Sequence, residues 1–275
     1  MPDKSSIAWA AEVKITLPIR DQEERLSFVN LSTADGLVEV RLQRGKVNAL
    51  NEQLVGEIAG CLESLAADDA IKAVILTGDG PFFSFGFDIP EFLSYSKESF
   101  SSFLKKFTRL YTYLFTYPKP VVAALNGHAV AGGCMLALAC DYRIMVSGKA
   151  KISLNEISFG SSVFAGSVAM LKFLVGGRNA QAVLCDGTMY SAEAALQLGL
   201  IDQVSSQEKL LEDAREVAKR MAGKDVAAFR SIKRLLRAPV AEEMVKREDA
   251  SVQEFVNIWY SEKTWKNLQA IKIHS

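Results

Sequence analysis

Two segments of this chain place glycine where backbone N–H groups could be turned toward a reacting atom. One is Phe83-Ser84-Phe85-Gly86-Phe87-Asp88-Ile89 and the other is Asn126-Gly127-His128-Ala129-Val130-Ala131-Gly132-Gly133-Cys134. Each follows an apolar run of strand character and leads toward a helix start, where the first N–H groups have no intrahelical acceptor. Two such donors aimed at one point would stabilise an oxygen that gains negative charge during a reaction. Taken singly, each segment also fits a plain turn or a close-packing requirement. Gly-x-Gly-x-x-Gly and Walker A patterns are absent, so neither segment reads as a phosphate cradle of those types.

Other chemistries are narrowed by what the chain lacks. It has two histidines, His128 and His274, and four cysteines, Cys61, Cys134, Cys140 and Cys185, with no Cys-x-x-Cys pair. A metal site is therefore not expected, and serine–histidine–aspartate chemistry would rest on His128, which reads as structural. The cysteines read as small buried hydrophobes in a reducing compartment. Lys plus Arg and Asp plus Glu both number 32, so charge gives no case for nucleic acid or an anionic membrane. The most apolar stretch, residues 121–140, is interrupted by Asn126, His128 and three glycines, and reads as strand, turn and helix rather than a membrane span. Residues 1–17 lack the apolar core of a secretory signal. The ending Lys272-Ile273-His274-Ser275 is not a Ser-Lys-Leu address, and the expected compartment is cytoplasmic.

The elements that must hold the two turns follow from periodicity. Residues 26–30 and 37–42 flank Asp35-Gly36 as a hairpin. Asn51 caps a helix that presents Leu54, Ile58, Leu62 and Leu65 on one face. Residues 73–76 and 121–125 read as buried strands, and residues 103–115 and 132–139 as helices. Asp88 is expected to cap the helix after Gly86. Strands alternating with helices imply βαβ units with right-handed crossovers. After Val204 the strands thin out, and residues 208–221, 226–236 and 242–258 read as helices. The organisation expected is an N-terminal arm (1–24), a core that binds and transforms the ligand (25–204) and a helical region (205–275) that packs on the core or on a neighbouring subunit. With 49% hydrophobic residues the chain can bury one large core.

Leu136-Ala137-Leu138-Ala139-Cys140-Asp141-Tyr142-Arg143-Ile144 and Ala192-Glu193-Ala194-Ala195-Leu196-Gln197-Leu198-Gly199-Leu200-Ile201-Asp202-Gln203-Val204 complete a set. Together with the two glycine segments, and in the same order, they resemble the motifs of the crotonase, or enoyl-CoA hydratase/isomerase, superfamily over roughly residues 35–260. The resemblance implies an α/β fold: a crotonase-like (ClpP/crotonase) spiral of ββα units in two roughly perpendicular sheets, then an α-helical trimerisation region. It implies a homotrimer or a dimer of trimers, and an acyl-CoA substrate in which coenzyme A is part of the substrate rather than a cofactor. Carried over by position, the two oxyanion donors are the backbone N–H groups of Phe87 and Gly132. Ser84 and Phe85 would line the adenine end of the coenzyme and Lys46 would approach it, although Lys46 fits a solvated surface lysine equally well. Asp141, Tyr142 and Arg143 resemble scaffold positions.

The resemblance also says where carboxylates should stand. In similar hydratases a first glutamate follows the Gly-Gly-Cys of the second turn. Here that position, counted among the substrate-binding residues, is Met135, which has no titratable proton and cannot hold water as a carboxylate would. The second falls in Ser153-Leu154-Asn155-Glu156-Ile157-Ser158-Phe159-Gly160 as Glu156. If Glu156 points inward among Leu154, Ile157 and Phe159, desolvation would raise its pKa. Asn155 would orient it or simply serve the turn. One carboxylate suits the movement of a double bond from the 3 to the 2 position of an enoyl-CoA, and the Leu-Asn-Glu context is similar to the mitochondrial type of 3,2-enoyl-CoA isomerase. Ser161-Ser162-Val163-Phe164 replaces the Gly/Pro-rich stretch that commonly follows, so Phe164 would block a long acyl chain or line a pocket for another acyl group. Other readings are a hydratase-like, hydrolase or decarboxylase activity on a CoA or carrier-bound thioester, and a non-catalytic CoA-binding subunit.

Overall fold

In the computed structural model, which describes residues 23–272, β1 (Glu23–Arg25), β2 (Val29–Ala34) and β3 (Leu37–Leu42) run antiparallel. Residues 1–22 of the expected arm and the tail from residue 273 lie outside the described residues, while Glu23 and Glu24 belong to β1. Asp35 and Gly36 both take positive φ, 53° and 74°, and close the expected hairpin with a turn whose twist matches its strands. So tight a turn pairs Ala34 with Leu37, which moves the first strand up to the turn from the expected residues 26–30.

The chain continues through α1 (Glu52–Ala67), β4 (Ala73–Gly78), β5 (Phe82–Ser84), α2 (Ile89–Phe92), α3 (Lys97–Phe115), β6 (Val121–Leu125), β7 (His128–Val130) and α4 (Gly132–Ala139). Then come β8 (Tyr142–Val146), β9 (Ile152–Ser153), a 3-10 turn at Glu156–Phe159, α5 (Ala165–Asp186), α6 (Ala192–Leu198), β10 (Gln203–Ser205), α7 (Leu210–Ala222), α8 (Val226–Trp259) and α9 (Glu262–Gln269). A seven-stranded sheet has the order β1-β2-β3-β4-β6-β8-β10 and is parallel from β3 onward. Every residue of β4 and β6 is buried, as strands covered on both faces must be. A second sheet, β5-β7-β9, is also parallel. Its strands have three, three and two residues, too short to leave a periodic signal in the sequence.

Helix starts follow local chemistry. The Asn51 side chain accepts from Leu54 N at 3.0 Å and caps α1 as expected. The helix expected from residue 103 begins at Lys97, because Ser96 Oγ accepts from Ser99 N at 3.1 Å and caps it there. Asp88 caps α2, accepting from Glu91 N at 3.2 Å.

Two helices were expected where α8 runs unbroken through Pro239. An interior proline costs about 3 kcal/mol in an isolated helix. Here the preceding turns are tied to the core: Lys233 Nζ lies 2.7 Å from Asp141 Oδ2, and Arg237 Nη1 donates to the carbonyls of Phe115 and Ala139 at 2.8 and 3.1 Å. Beyond the proline Met244, Val252, Phe255, Val256 and Trp259 are buried, so packing on both sides overrides the local preference. The scaffold role of Asp141 and Arg143 is explicit. Asp141 also accepts from Val121 N at 2.8 Å, joining β6 to α8, and Arg143 pairs with Asp202 at 2.6 Å. Cys61, Cys134 and Cys140 are buried, but Cys185 is exposed on α5, contrary to the expectation for all four thiols. Among the described residues no helix is long and apolar enough to cross a membrane.

Candidate active site

Each strand of the small sheet leads into one of the residues singled out for chemistry. Phe87 follows β5, Gly132 follows β7 and Glu156 follows β9. Neighbouring parallel strands end on the same side, so segments far apart in sequence arrive at one edge. Two buried asparagines fix the entry to β5. Asn126 accepts from Gly78 N at 2.9 Å and donates to Gly80 O at 2.9 Å, and Asn48 donates to Asp79 O and Phe82 O, each at 2.9 Å.

The two glycine turns lie against each other. A Cβ on Gly86 would stand 2.9 Å from Val130 O and 3.1 Å from Gly132 N, and one on Gly133 would stand 2.4 Å from Ser84 O. Gly86 also has φ +95°, a conformation other residues rarely adopt. Bonds made by its neighbours hold the first turn: Phe85 N to Val47 O at 2.9 Å, Leu50 N to Gly86 O at 2.7 Å and Asp88 N to Leu50 O at 3.0 Å. In the second, Ala131 N donates to Ser153 O at 2.8 Å, and Ala131 is held at φ 49°, the left-handed region, just before Gly132 opens α4. Backbone strain of this kind persists only where the surroundings enforce it, and it gathers at functional sites.

Phe87, Gly132 and Glu156 line one cavity of 150 Å³. Phe85, Ile89 and Asn155 join them on the sheet side. The remaining wall includes Phe164, at the start of α5, with Phe255 and Trp259 from α8 and Ile271 beyond α9. Phe164 stacks on Phe255 with ring centroids 4.6 Å apart. A larger groove, 680 Å³, runs between residues 116–118 and α8 and holds none of the candidate residues.

Glu156 is only 4% exposed, and burial pushes its carboxyl up to about 8. Its Oε2 has no hydrogen-bond partner among the described residues. The turn that carries it is held from outside: Ser161 N donates to Glu156 O at 3.0 Å, Thr264 Oγ1 to Gly160 O at 2.7 Å and Asn267 Nδ2 to Phe159 O at 3.1 Å. The last two bonds come from α9, so the C-terminal helices help position a residue on the sheet side. A carboxyl with a free oxygen, on the same cavity as a helix start, is equipped to exchange a proton with a bound molecule whose oxygen is held by backbone donors.

Of the residues picked out in the sequence, Phe85, Phe87, Gly132, Glu156 and Phe164 reach the cavity. Ser84, Met135 and Lys46 do not. Ser84 is fully buried; its Oγ donates to Asn48 O at 2.8 Å and accepts from Gly86 N at 3.2 Å, so its side chain shapes the turn. Met135 is buried in the hydrophobic core, and Lys46 is exposed on the loop after β3. His128 lies against Phe82, ring centroids 4.8 Å apart, away from the cavity wall. Sequence reasoning missed Phe255 and Trp259, which sit in ordinary helical sequence, and Ile271, which follows α9; no motif marks any of them.

The description "Enoyl-CoA hydratase/isomerase" belongs to the family whose model matches residues 32–272. The chain belongs to this family. The crystal structure of human mitochondrial delta3-delta2-enoyl-CoA isomerase superposes with a TM-score of 0.85 at 30% identity, covering 88% of this chain and 96% of that one. Mouse (Mus musculus) enoyl-CoA delta isomerase 1, mitochondrial, is 31% identical over 235 residues, 85% of this chain and 81% of the relative. A putative enoyl-CoA hydratase of Thermus thermophilus is 36% identical over 196 residues, 70% of this chain and 76% of the relative. The fold is therefore the crotonase fold expected from the motifs, and the chain is an acyl-CoA enzyme of this family. Isomerases and hydratases stand side by side among its relatives, so the choice of reaction falls to the residues of the site.

Proposed function

We propose that the chain is a 3,2-enoyl-CoA isomerase. The observation that carries this reading is that, among the described residues, Glu156 is the one titratable side chain on the wall of the cavity. Hydration needs a water held and activated as well as a proton delivered, and the position that would supply a second carboxylate is the buried Met135. Moving a double bond needs one proton to leave the alpha carbon and one to arrive at the gamma carbon. Ionised Glu156 takes the alpha proton; the C–H electron pair becomes a double bond to the thioester carbon and the carbonyl pair moves onto the thioester oxygen, the 3,4 double bond staying in place. The backbone N–H groups of Phe87 and Gly132 hold the resulting dienolate oxygen, each donor being worth several kcal/mol. Glu156 then returns the proton to the gamma carbon, and no water is consumed.

Conversion of 3-hexenoyl-CoA to 2-hexenoyl-CoA, followed by the ultraviolet absorbance of the conjugated product, tests this reading. Wild type is expected to turn over, and Glu156→Gln to lose at least about a thousandfold while still binding CoA thioesters. A Glu156→Gln variant of undiminished rate would sink the assignment. The reading includes a homotrimer or a dimer of trimers, supported by Ile232, Leu235, Leu236 and Val245, which stand 58%, 72%, 59% and 65% exposed on α8. A sedimentation mass of one chain would contradict it.

A further inference from the structure

Among the described residues, seven buried side-chain polar atoms lack a hydrogen-bond partner, and four of them gather around this cavity: Asn155 Oδ1, Glu156 Oε2, Ser161 Oγ and Trp259 Nε1. Asn155, Glu156 and Trp259 line the cavity, and Ser161 closes the turn that carries Glu156. Buried polar atoms without partners are costly and uncommon, so their concentration marks a place where something else supplies the partner.

Proton transfer accounts for Glu156 Oε2. It does not account for the other three. The thioester oxygen is already served by backbone donors from the two glycine turns, whereas Trp259 comes from α8. The indole is locked in place, its ring centroid 4.7 Å from that of Phe100 and 5.7 Å from that of Phe255. A phenylalanine would complete the same aromatic wall without burying an N–H, so the nitrogen itself calls for a partner. The cavity of 150 Å³ also limits what can enter. A space of about that size takes a benzene-sized group, roughly six non-hydrogen atoms.

We propose that the acyl group taken by this site is short and carries an oxygen, as hydroxyl or carbonyl, beyond its reacting carbons. That oxygen accepts from Trp259 Nε1, and where it is a hydroxyl it also donates to Asn155 Oδ1. The inference rests on the reading of the cavity as the acyl site and names the class of chain that fits it.

Binding of saturated thioesters separates this inference from the isomerase reading, because neither ligand can be isomerised. Isothermal titration of wild type with 5-oxohexanoyl-CoA and with hexanoyl-CoA is expected to favour the oxo chain by about five- to tenfold, the effect of one or two hydrogen bonds to groups otherwise left unpaired. Trp259→Phe is expected to erase that preference, read as the ratio of the variant's affinities for the two thioesters. Equal or weaker binding of the oxo chain by wild type would overturn the proposal, since water would then be the partner of these atoms. A Trp259→Phe protein that retained the preference would overturn it too. If that variant does not fold, the wild-type pair still decides. Failure of both thioesters to bind folded wild type would remove the acyl site and the proposal with it.

Discussion

The side of the cavity that carries Phe87 and Gly132 is shaped by two braced backbone turns, and the side that carries Phe255 and Trp259 by stacked aromatic side chains. The first is fixed by contacts that leave no room for a Cβ at Gly86 or Gly133, and by hydrogen bonds from β3, β7 and β9 or the loops beside them. The second is an aromatic stack between the start of α5 and the end of α8. Donors for a developing charge must sit within a few tenths of an ångström of their place, and only a braced backbone offers that. The acyl wall has to match a chain in size and polarity, which side chains do without disturbing the donors. On the reading proposed for this site, the difference teaches that one wall sets the kind of reaction and the other the kind of acyl group. Glu156 belongs to both, because β9 delivers it and α9 holds its turn.

The largest effect expected concerns Glu156 itself. Unfolded, its carboxyl titrates near the ordinary 4.5; folded, near 8. Below pH 4.5 both states hold the proton. As pH rises from there to about 8 the unfolded chain has released a proton that the folded chain retains, so stability falls, and the full penalty stands above pH 8. Glu156→Gln removes the penalty. Urea denaturation should find the variant more stable than wild type at pH 9, by an amount of the order of several kcal/mol, and equal to it at pH 4. Equal stability at both would mean that the carboxyl is not desolvated. Wild-type kcat/KM should climb as pH rises through about 8, where the base becomes ionised.

A pair of smaller changes tests the two walls against each other. Gly133→Ala puts a Cβ 2.4 Å from Ser84 O and forces the turns apart, costing about 3 kcal/mol in stability. It should lower turnover of short and long enoyl chains alike. Phe164→Leu trims the acyl wall, costs about 1 kcal/mol and should change the ranking of chain lengths with little effect on the best substrate. Steady-state kinetics over a chain-length series reads both. Opposite patterns, with Gly133→Ala altering preference and Phe164→Leu lowering all rates equally, would dissolve the distinction.

The backbone wall was legible in the sequence because glycine is. Gly86, Gly132 and Gly133 announce places where backbone must approach backbone, and the runs before them announce buried strands. The strands β5, β7 and β9 that deliver the three residues were not legible, since two or three residues carry no periodicity. Motif position did not reveal which way a side chain turns: Ser84 and Met135 occupy motif positions yet face the interior. The side-chain wall was the least legible part. Phe164 stood out by replacing a Gly/Pro-rich stretch, but Phe255 and Trp259 meet it only because α8 runs through Pro239, and that continuity depends on the tertiary anchors at Lys233 and Arg237.

The central claim is that one carboxyl carries one proton from the alpha to the gamma carbon inside a cavity that keeps water away. Isomerisation of 3-hexenoyl-CoA bearing deuterium at carbon 2, run in ordinary water and read by mass spectrometry and NMR of the product, tests it most directly. Deuterium found at carbon 4 is the result expected, since Glu156 returns the proton it removed. Efficient isomerisation with only solvent hydrogen at carbon 4 would contradict the account, because a second donor or free water would then complete the reaction.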